Sequence, residues 1–343
     1  MERPTVDILM ATFNGERFLR EQLDSILIQT YENFRLLIHD DASIDETVSI
    51  LMEYKQKDSR IEIYLNDSNR GAVRTFEMLL AQSSAPLFMF SDQDDKWHRN
   101  KVEKSVTKFQ MKSGTWMVYS DLRIVDKNLK VLDESFMKSN GYRPISSSYL
   151  NTLLIQQMIP GCSILGSEEL RKRSLPFPKE VSMHDAWLCI VAGIYGEIQF
   201  LDLPLIDYRQ HASNTIGALT SIQRWNSLTN LTWIDFKSSR SDFYRSEIKK
   251  MVSYHDFLST DKNKQKTYLM REIVEYYTFF HYNLNPLKAI RKSIEFKSRY
   301  TSDGTARNLW WFFYHSFPFL CYSSLKVIGF VRKVFSYFRR AFS

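Results

Sequence analysis

The sequence predicts an α/β fold: a mostly parallel sheet covered by helices, followed by a C-terminal α-helical region. Up to Phe90, short apolar runs alternate with amphipathic stretches, the order of a parallel sheet with helices on both faces. Each apolar run ends in polar or acidic residues, as strands do at the ligand-binding edge of an open sheet. After residue 215 the alternation stops, and longer runs with aromatic faces replace it.

Val6–Met10 reads as the first strand, and Leu19, Leu23, Ile26 and Leu27 then share one helix face. Phe34–Ile38 is the second strand, ending at Asp40 and Asp41. Ser43–Glu46 has the spacing of a capping box, with Val48, Leu51 and Met52 facing inward from the helix it opens. Ile61–Leu65 is the third strand. A polar turn with Gly71 leads into a helix carrying Val73, Phe76, Leu79 and Leu80, and Leu87–Phe90 reads as a fully buried fourth strand. Trp116–Tyr119 is a further strand, with Leu122–Val125 and Val131–Leu132 as a small hairpin. Tyr142–Asn151 is polar and serine-rich, and reads as a loop. Ser182–Trp187 opens an apolar helix through Leu188, Val191 and Ile194. Ile222–Phe236 and Met270–Phe280 read as helices, with Lys262–Lys266 a charged loop between them. The predicted division is 1–215, 216–303 and 304–343.

Hydrophobic residues make up 44% of the 343, ample for a core. The net charge of +7 is a moderate excess, and no nucleic-acid partner is expected. Cys162, Cys189 and Cys321 have no CxxC spacing and lie in apolar surroundings, so they read as reduced core residues. No apolar leader follows Met1, so a cytoplasmic chain is expected. GxGxxG is absent after the first strand and GxxxxGK[ST] is absent throughout, which argues against dinucleotide oxidoreductases and phosphate-loop NTPases. The turn at Thr12–Glu16 lacks the basic loop that a nucleotidyltransferase needs over its triphosphate.

The chemistry gathers at Ser91–Asp95. Asp92, Asp94 and Asp95 put three carboxylates into four positions, tolerable only when solvated or bridged by a cation. Oxygen ligands suit Mg2+ or Mn2+. The alternative is an acidic solvated turn before a helix. Asp41 is placed to accept the imide N–H of a uracil or thymine ring, or else serves as a turn acid.

Met10–Asn14, Asp40–Ser43, Asn69–Gly71 and Ser91–Trp97, in that order and spacing, resemble glycosyltransferase family 2, and over residues 5–215 bacterial polysaccharide rhamnosyltransferases in particular. The resemblance implies the Rossmann-like GT-A fold, a nucleotide-sugar donor and inversion at the anomeric carbon. It places Thr12, Phe13, Asn14, Asp41, Arg70, Gly71, Asp92 and Gln93 at the donor. It makes Asp92, Asp94, Asp95 and His211 the metal ligands, and it suits Arg209 to the diphosphate. Asp185 matches the family's catalytic base, although as an acid in a first helical turn it is also explained by the dipole alone. His184 stands where the family has another acid. Gly161, His184 and Trp187 fall on the acceptor side, Gly161 in a strand where it lets substrate approach the backbone. Ala42 departs from the family's glycine, which tightens the demands on that turn.

From Gly304 to Ser343 there is no acid, while Arg307, Lys326, Arg332, Lys333, Arg339 and Arg340 flank aromatic runs such as Leu309–Tyr314. That pattern favours a helix lying on an anionic membrane surface over one that crosses it. A core helix or a homo-oligomer contact is the alternative. With the resemblance, the tail implies an enzyme peripheral to the inner face of the cell membrane, acting on a lipid-linked saccharide acceptor.

Overall fold

A computed structural model of the chain describes residues 3–140, 142, 144, 159–211 and 233–259, with Arg271, Val274, Glu275 and Thr278. The chain divides into two compact units, Met1–Gly217 and Ala218–Ser343.

The first unit begins with the expected alternation: β1 (Val6–Thr12), α1 (Glu16–Leu27), β2 (Phe34–Asp40), α2 (Thr47–Lys57), β3 (Ile61–Leu65), α3 (Ala72–Gln82) and β4 (Leu87–Ser91). β1 pairs in parallel with β2 on one side and β4 on the other, and β2 with β3. Ile8 and Met10 pack in one cluster with Leu36, Ile38 and Met89 of the neighbouring strands and Leu19, Leu23 and Ile26 of α1. Burying each such side chain fully contributes about 1.5–3 kcal/mol. Leu9, Leu37 and Phe88 are equally buried but point to the opposite face, because strand side chains alternate. Both faces are therefore dry, which is why β1 and β4 read as near-continuous apolar runs.

The rest of the unit widens this sheet. β5 (Lys96–Trp97), α4 (Lys101–Gln110), β6 (Thr115–Asp126), β7 (Val131–Asp133) and α5 (Phe136–Ser139) come first, then β8 (Ile164–Ser167), α6 (Glu168–Ser174), α7 (His184–Tyr195) and β9 (Glu197–Gln210). Among the described residues the strand order is β3-β2-β1-β4-β8-β6-β9-β5, with β7 on β6. β8 runs antiparallel to both β4 and β6, and β9 parallel to β6. The carboxyl ends of β1, β2, β4, β6 and β9 thus share one edge, the edge where ligands bind in open sheets.

Local expectations differ in three places. Ser43 does not cap α2: its hydroxyl donates to Asp40 Oδ2 at 2.6 Å, and Asp45 Oδ1 instead accepts from the first helical N–H, that of Thr47, at 3.0 Å. Ile50, Leu51 and Tyr54 face the core from α2, whereas Met52 is exposed. The strand and hairpin expected over 116–132 are one continuous β6 with β7 folded back on it.

In the second unit α8 spans Trp233–Ser259, with Met251, Tyr254 and Leu258 buried along one side. It covers the end of the helix expected over Ile222–Phe236. Most of the Tyr142–Asn151 loop, most of the Met270–Phe280 helix, the Lys262–Lys266 loop and the basic aromatic tail lie outside the described residues. Among the described residues no helix is long and apolar enough to cross a membrane.

Candidate active site

β4 delivers the acidic turn. Ser91 is anchored by Gln22 of α1, whose Nε2 donates to its hydroxyl at 2.7 Å. Asp95 is 1% exposed; its Oδ1 accepts from the Arg209 N–H at 3.1 Å, and the Cys162 thiol hydrogen-bonds its carboxyl. Asp94 Oδ2 lies 2.8 Å from His211 Nε2, just past the end of β9. Burial, then the neighbouring Asp94 and Asp185 charges, raise the Asp92 carboxyl to about 7. Burial and the Asp94 and Asp92 charges push Asp95 well up as well. Asp94 thus pairs with His211, and the Asp92, Asp94 and Asp95 charges act on one another. Crowded carboxylates and a nearby imidazole are a donor set that fits a divalent cation.

Two residues beside the turn escaped the sequence reading. Cys162 offers its sulfur within 4.8 Å of ligand oxygens of Asp92 and Asp95, so its surroundings are acidic, not purely apolar. Lys101 is fully buried, its ammonium 3.5 Å from the Trp97 ring centroid, and burial pulls it down to about 7.

The neighbouring loops are braced by the residues expected to hold the donor. Gln93 accepts from Phe13 N–H at 2.9 Å and donates to Phe13 C=O at 3.0 Å, and a Cβ on Gly15 would sit 2.3 Å from the Gln93 amide oxygen. Thr12 turns inward and donates to Asp40. Asn14 accepts from Ile44 N–H, while Phe13 is left 43% exposed at the loop tip.

Asp41 corrects the expectation of base recognition. Its carboxylate accepts from Asn66 Nδ2, Arg70 N–H and Gly71 N–H, each at 2.8 Å, and it is 3% exposed. It organises the loop between β3 and α3. Gly71 there adopts φ 82°, which favours glycine, and the Arg70 side chain is exposed.

Asp185 opens α7. Its Oδ2 accepts from Gly161 N–H at 3.0 Å and its Oδ1 from Ala186 N–H at 2.7 Å, which fixes the carboxylate on the side where it acts on Asp92. Gly161 lies in a 3-10 turn before β8, not in a strand. The space left by its missing Cβ belongs to His184, whose Nε2 would be 2.7 Å away, so the glycine serves packing. His184 itself is 4% exposed and stacked on Phe76 at 4.0 Å, with Phe90 at its edge. Neither ring nitrogen is hydrogen-bonded, and burial pulls it down to about 3, so it stays neutral. Trp187 is fully buried and donates to Ser174 C=O at 2.9 Å. His184 and Trp187 are therefore core residues, which removes them from the acceptor side.

Residues 7–152 match the family model described as glycosyl transferase family 2. That stretch belongs to glycosyl transferase family 2. The dTDP-rhamnosyl transferase RfbG of Shigella flexneri is 25% identical over 257 residues, covering 71% of this chain and 83% of that protein. The UDP-Glc:alpha-D-GlcNAc-diphosphoundecaprenol beta-1,3-glucosyltransferase WfgD of Escherichia coli is 32% identical over 128 residues, 37% of this chain. The match spans about half of WfgD, 49% of its length. Among solved structures, S. aureus TarS 1-349 superposes with a TM-score of 0.54 at 16% identity, covering 87% of this chain and 81% of that one. The mannosyltransferase PcManGT from Pyrobaculum calidifontis, in complex with GDP-Man and Mn2+, gives 0.52 at 14% identity, covering 93% and 86%. At such identities the structures speak for the GT-A fold alone.

The family 2 domain and the strand ends beyond it meet through Arg209, which is 1% exposed. Its guanidinium donates to Asp94 C=O, Lys127 C=O and Glu21 Oε2, and stacks 4.5 Å from the Phe18 ring centroid. Its fork is committed to this chain, which corrects the expectation that it pairs with a diphosphate. The sequence marks Arg209 as a phosphate ligand because arginine chemistry is legible there. Its three partners, scattered from Glu21 to Lys127, are not.

Proposed function

We propose that this family 2 glycosyltransferase is a metal-dependent, inverting enzyme. It moves a sugar from a nucleotide-sugar donor to a lipid-linked saccharide acceptor in surface polysaccharide synthesis. The observation that carries the reading is the position of Asp185, oriented by Gly161 N–H and close enough to Asp92 to shift its proton equilibrium.

In this reading Asp185 takes the proton of an acceptor hydroxyl. The freed oxygen attacks the anomeric carbon from the face opposite the nucleotide, through an oxocarbenium-like transition state. Asp92, Asp94 and His211 would hold Mg2+ or Mn2+, which supplies charge neutralisation for the departing diphosphate. Gln93 and Asp41 keep the two flanking loops in shape for the nucleotide, with the exposed Arg70 as a cation for the phosphates. Asp95, Arg209 and Gly161 position the others.

The favoured donor is dTDP-rhamnose, supported by the similarity to RfbG over most of both chains. A UDP-hexose is the second reading, supported by WfgD, whose name specifies UDP-Glc and a diphosphoundecaprenol acceptor. In this reading the enzyme works at the cytoplasmic face of the membrane, with the basic aromatic tail as its contact. Intact Asp92, Asp94 and Asp185 speak against a non-catalytic scaffold. The test is a side-by-side assay of dTDP-rhamnose, UDP-galactose and UDP-glucose with Mn2+ present. Release of dTDP selective for the first is expected. Turnover of only a UDP-sugar replaces rhamnose, and turnover of none overturns the reading.

A further inference from the structure

We infer that His39 and Asn66 are positioning residues for the donor, holding the loop that carries Arg70 in shape through Asp41; this rests on the role proposed above for Arg70 at the donor phosphates. The observation is an unbroken chain of hydrogen bonds. His39 Nε2 lies 2.9 Å from Asn66 Oδ1, and Asn66 Nδ2 donates to Asp41 Oδ1 at 2.8 Å. Asp41 in turn accepts from Arg70 N–H and Gly71 N–H, each at 2.8 Å. Two strands fix where the chain starts. His39 on β2 is paired in register with Tyr64 of β3, and Asn66, just past β3, donates its own N–H to Asp40 C=O at 2.9 Å.

The carboxylate sets the direction of the relay. A carboxylate accepts and does not donate, so the Asn66 amide turns its Nδ2 to Asp41 and its Oδ1 to His39. The His39 ring therefore carries its proton on Nε2, and Nδ1 is bare. That nitrogen is buried and has no hydrogen-bond partner among the described residues. The ring is 2% exposed, and burial pulls it below its ordinary value, so it is neutral near pH 7. A bare buried ring nitrogen carries a cost that an apolar side chain would not. What the imidazole supplies in return is one N–H at the head of the relay. Each link points the same way, so each polarises the next. Without that N–H the Asn66 amide is free to turn away, and the Arg70–Gly71 backbone loses its fixed acceptor. Gly71 is held at φ 82° by this contact, and the Arg70 side chain moves with its backbone.

The test is nucleotide binding and amide exchange in the full chain, with dTDP and UDP as probes and Mn2+ present. His39→Leu removes the first donor, Asn66→Asp sets a second carboxylate against Asp41, and His39→Gln restores an N–H donor. Circular dichroism confirms that each is folded. Asn66 is half-buried, so its variant carries the test even if the core variant fails to fold. The first two variants should bind nucleotide about 3–10-fold more weakly and exchange the Arg70 and Gly71 amides faster. His39→Gln should return both toward the wild type. Lost packing alone would lower the stability of a folded variant and leave its nucleotide affinity as it was. Unchanged affinity or unchanged exchange in a folded His39→Leu or Asn66→Asp overturns the inference, as does a His39→Gln variant no better than His39→Leu. A wild-type chain that binds neither nucleotide overturns the donor reading itself, so the two failures are told apart.

Discussion

Ala42 adopts φ 65°, in the left-handed region that its side chain disfavours. The Cβ there costs about 1–2 kcal/mol, while glycine would add about 0.4–1 kcal/mol of unfolded-state entropy. Ala42→Gly should therefore raise stability by about 0.5 kcal/mol, read as a higher urea midpoint. A lower midpoint would show that the turn is relaxed as it stands. At Gly161 the argument reverses. A methyl group there meets the His184 ring, and overpacking of this kind costs about 1–3 kcal/mol. His184→Ala makes room, so the double variant should lose less than the sum of the singles in a denaturation cycle. Additive losses would mean that the ring is not what excludes the side chain.

Elements were legible in the sequence wherever burial is two-sided or an apolar face repeats. β1 and β4 read directly, because parallel strands covered on both faces leave near-continuous apolar runs. β9 did not: its Leu203 is 40% exposed and its pattern is irregular, so nothing local announces a long strand. The acidic turn was legible as chemistry, since three carboxylates so close need an explanation. The roles of Asp41, Arg209, His184 and Trp187 were not, because partners distant in sequence decide whether a polar group faces ligand or protein. Arg209 ties the end of β9 to α1, the β4–β5 turn and the β6–β7 turn at once. Arg209→Met leaves two carbonyls without their donor, while Glu21, 40% exposed, keeps Lys96 at 3.9 Å. It should cost about 1–3 kcal/mol by chemical denaturation. A loss within the range of a surface substitution would place the ties elsewhere.

For the whole molecule, proton and metal compete for one site. Burial, then Asp94 and Asp185, raise the Asp92 carboxyl to about 7, above its unfolded value of about 4. Between those values the folded chain holds a proton that the unfolded chain has lost. Metal-free stability should then fall as pH rises from about 4 to about 7 and level off above. A dication favours the ionised form, so Mn2+ should raise Tm more at pH 8 than at pH 6, and Asp92→Asn should flatten both trends. An equal Mn2+ effect at the two pH values would remove Asp92 from the cation's site. The central claim is that this edge of the sheet performs inverting transfer with Asp185 as base. A base acts in the transition state, so its loss lowers kcat and spares donor binding. Asparagine keeps the shape of the side chain at the start of α7 but loses one of its two accepting oxygens, so the denaturation midpoint of the variant is measured alongside. The most direct measurement is kcat and donor Kd for Asp185→Asn beside the wild type. The predicted result is a kcat lower by about 10²–10⁴-fold with donor affinity unchanged; a variant that transfers sugar at close to the wild-type rate would contradict it.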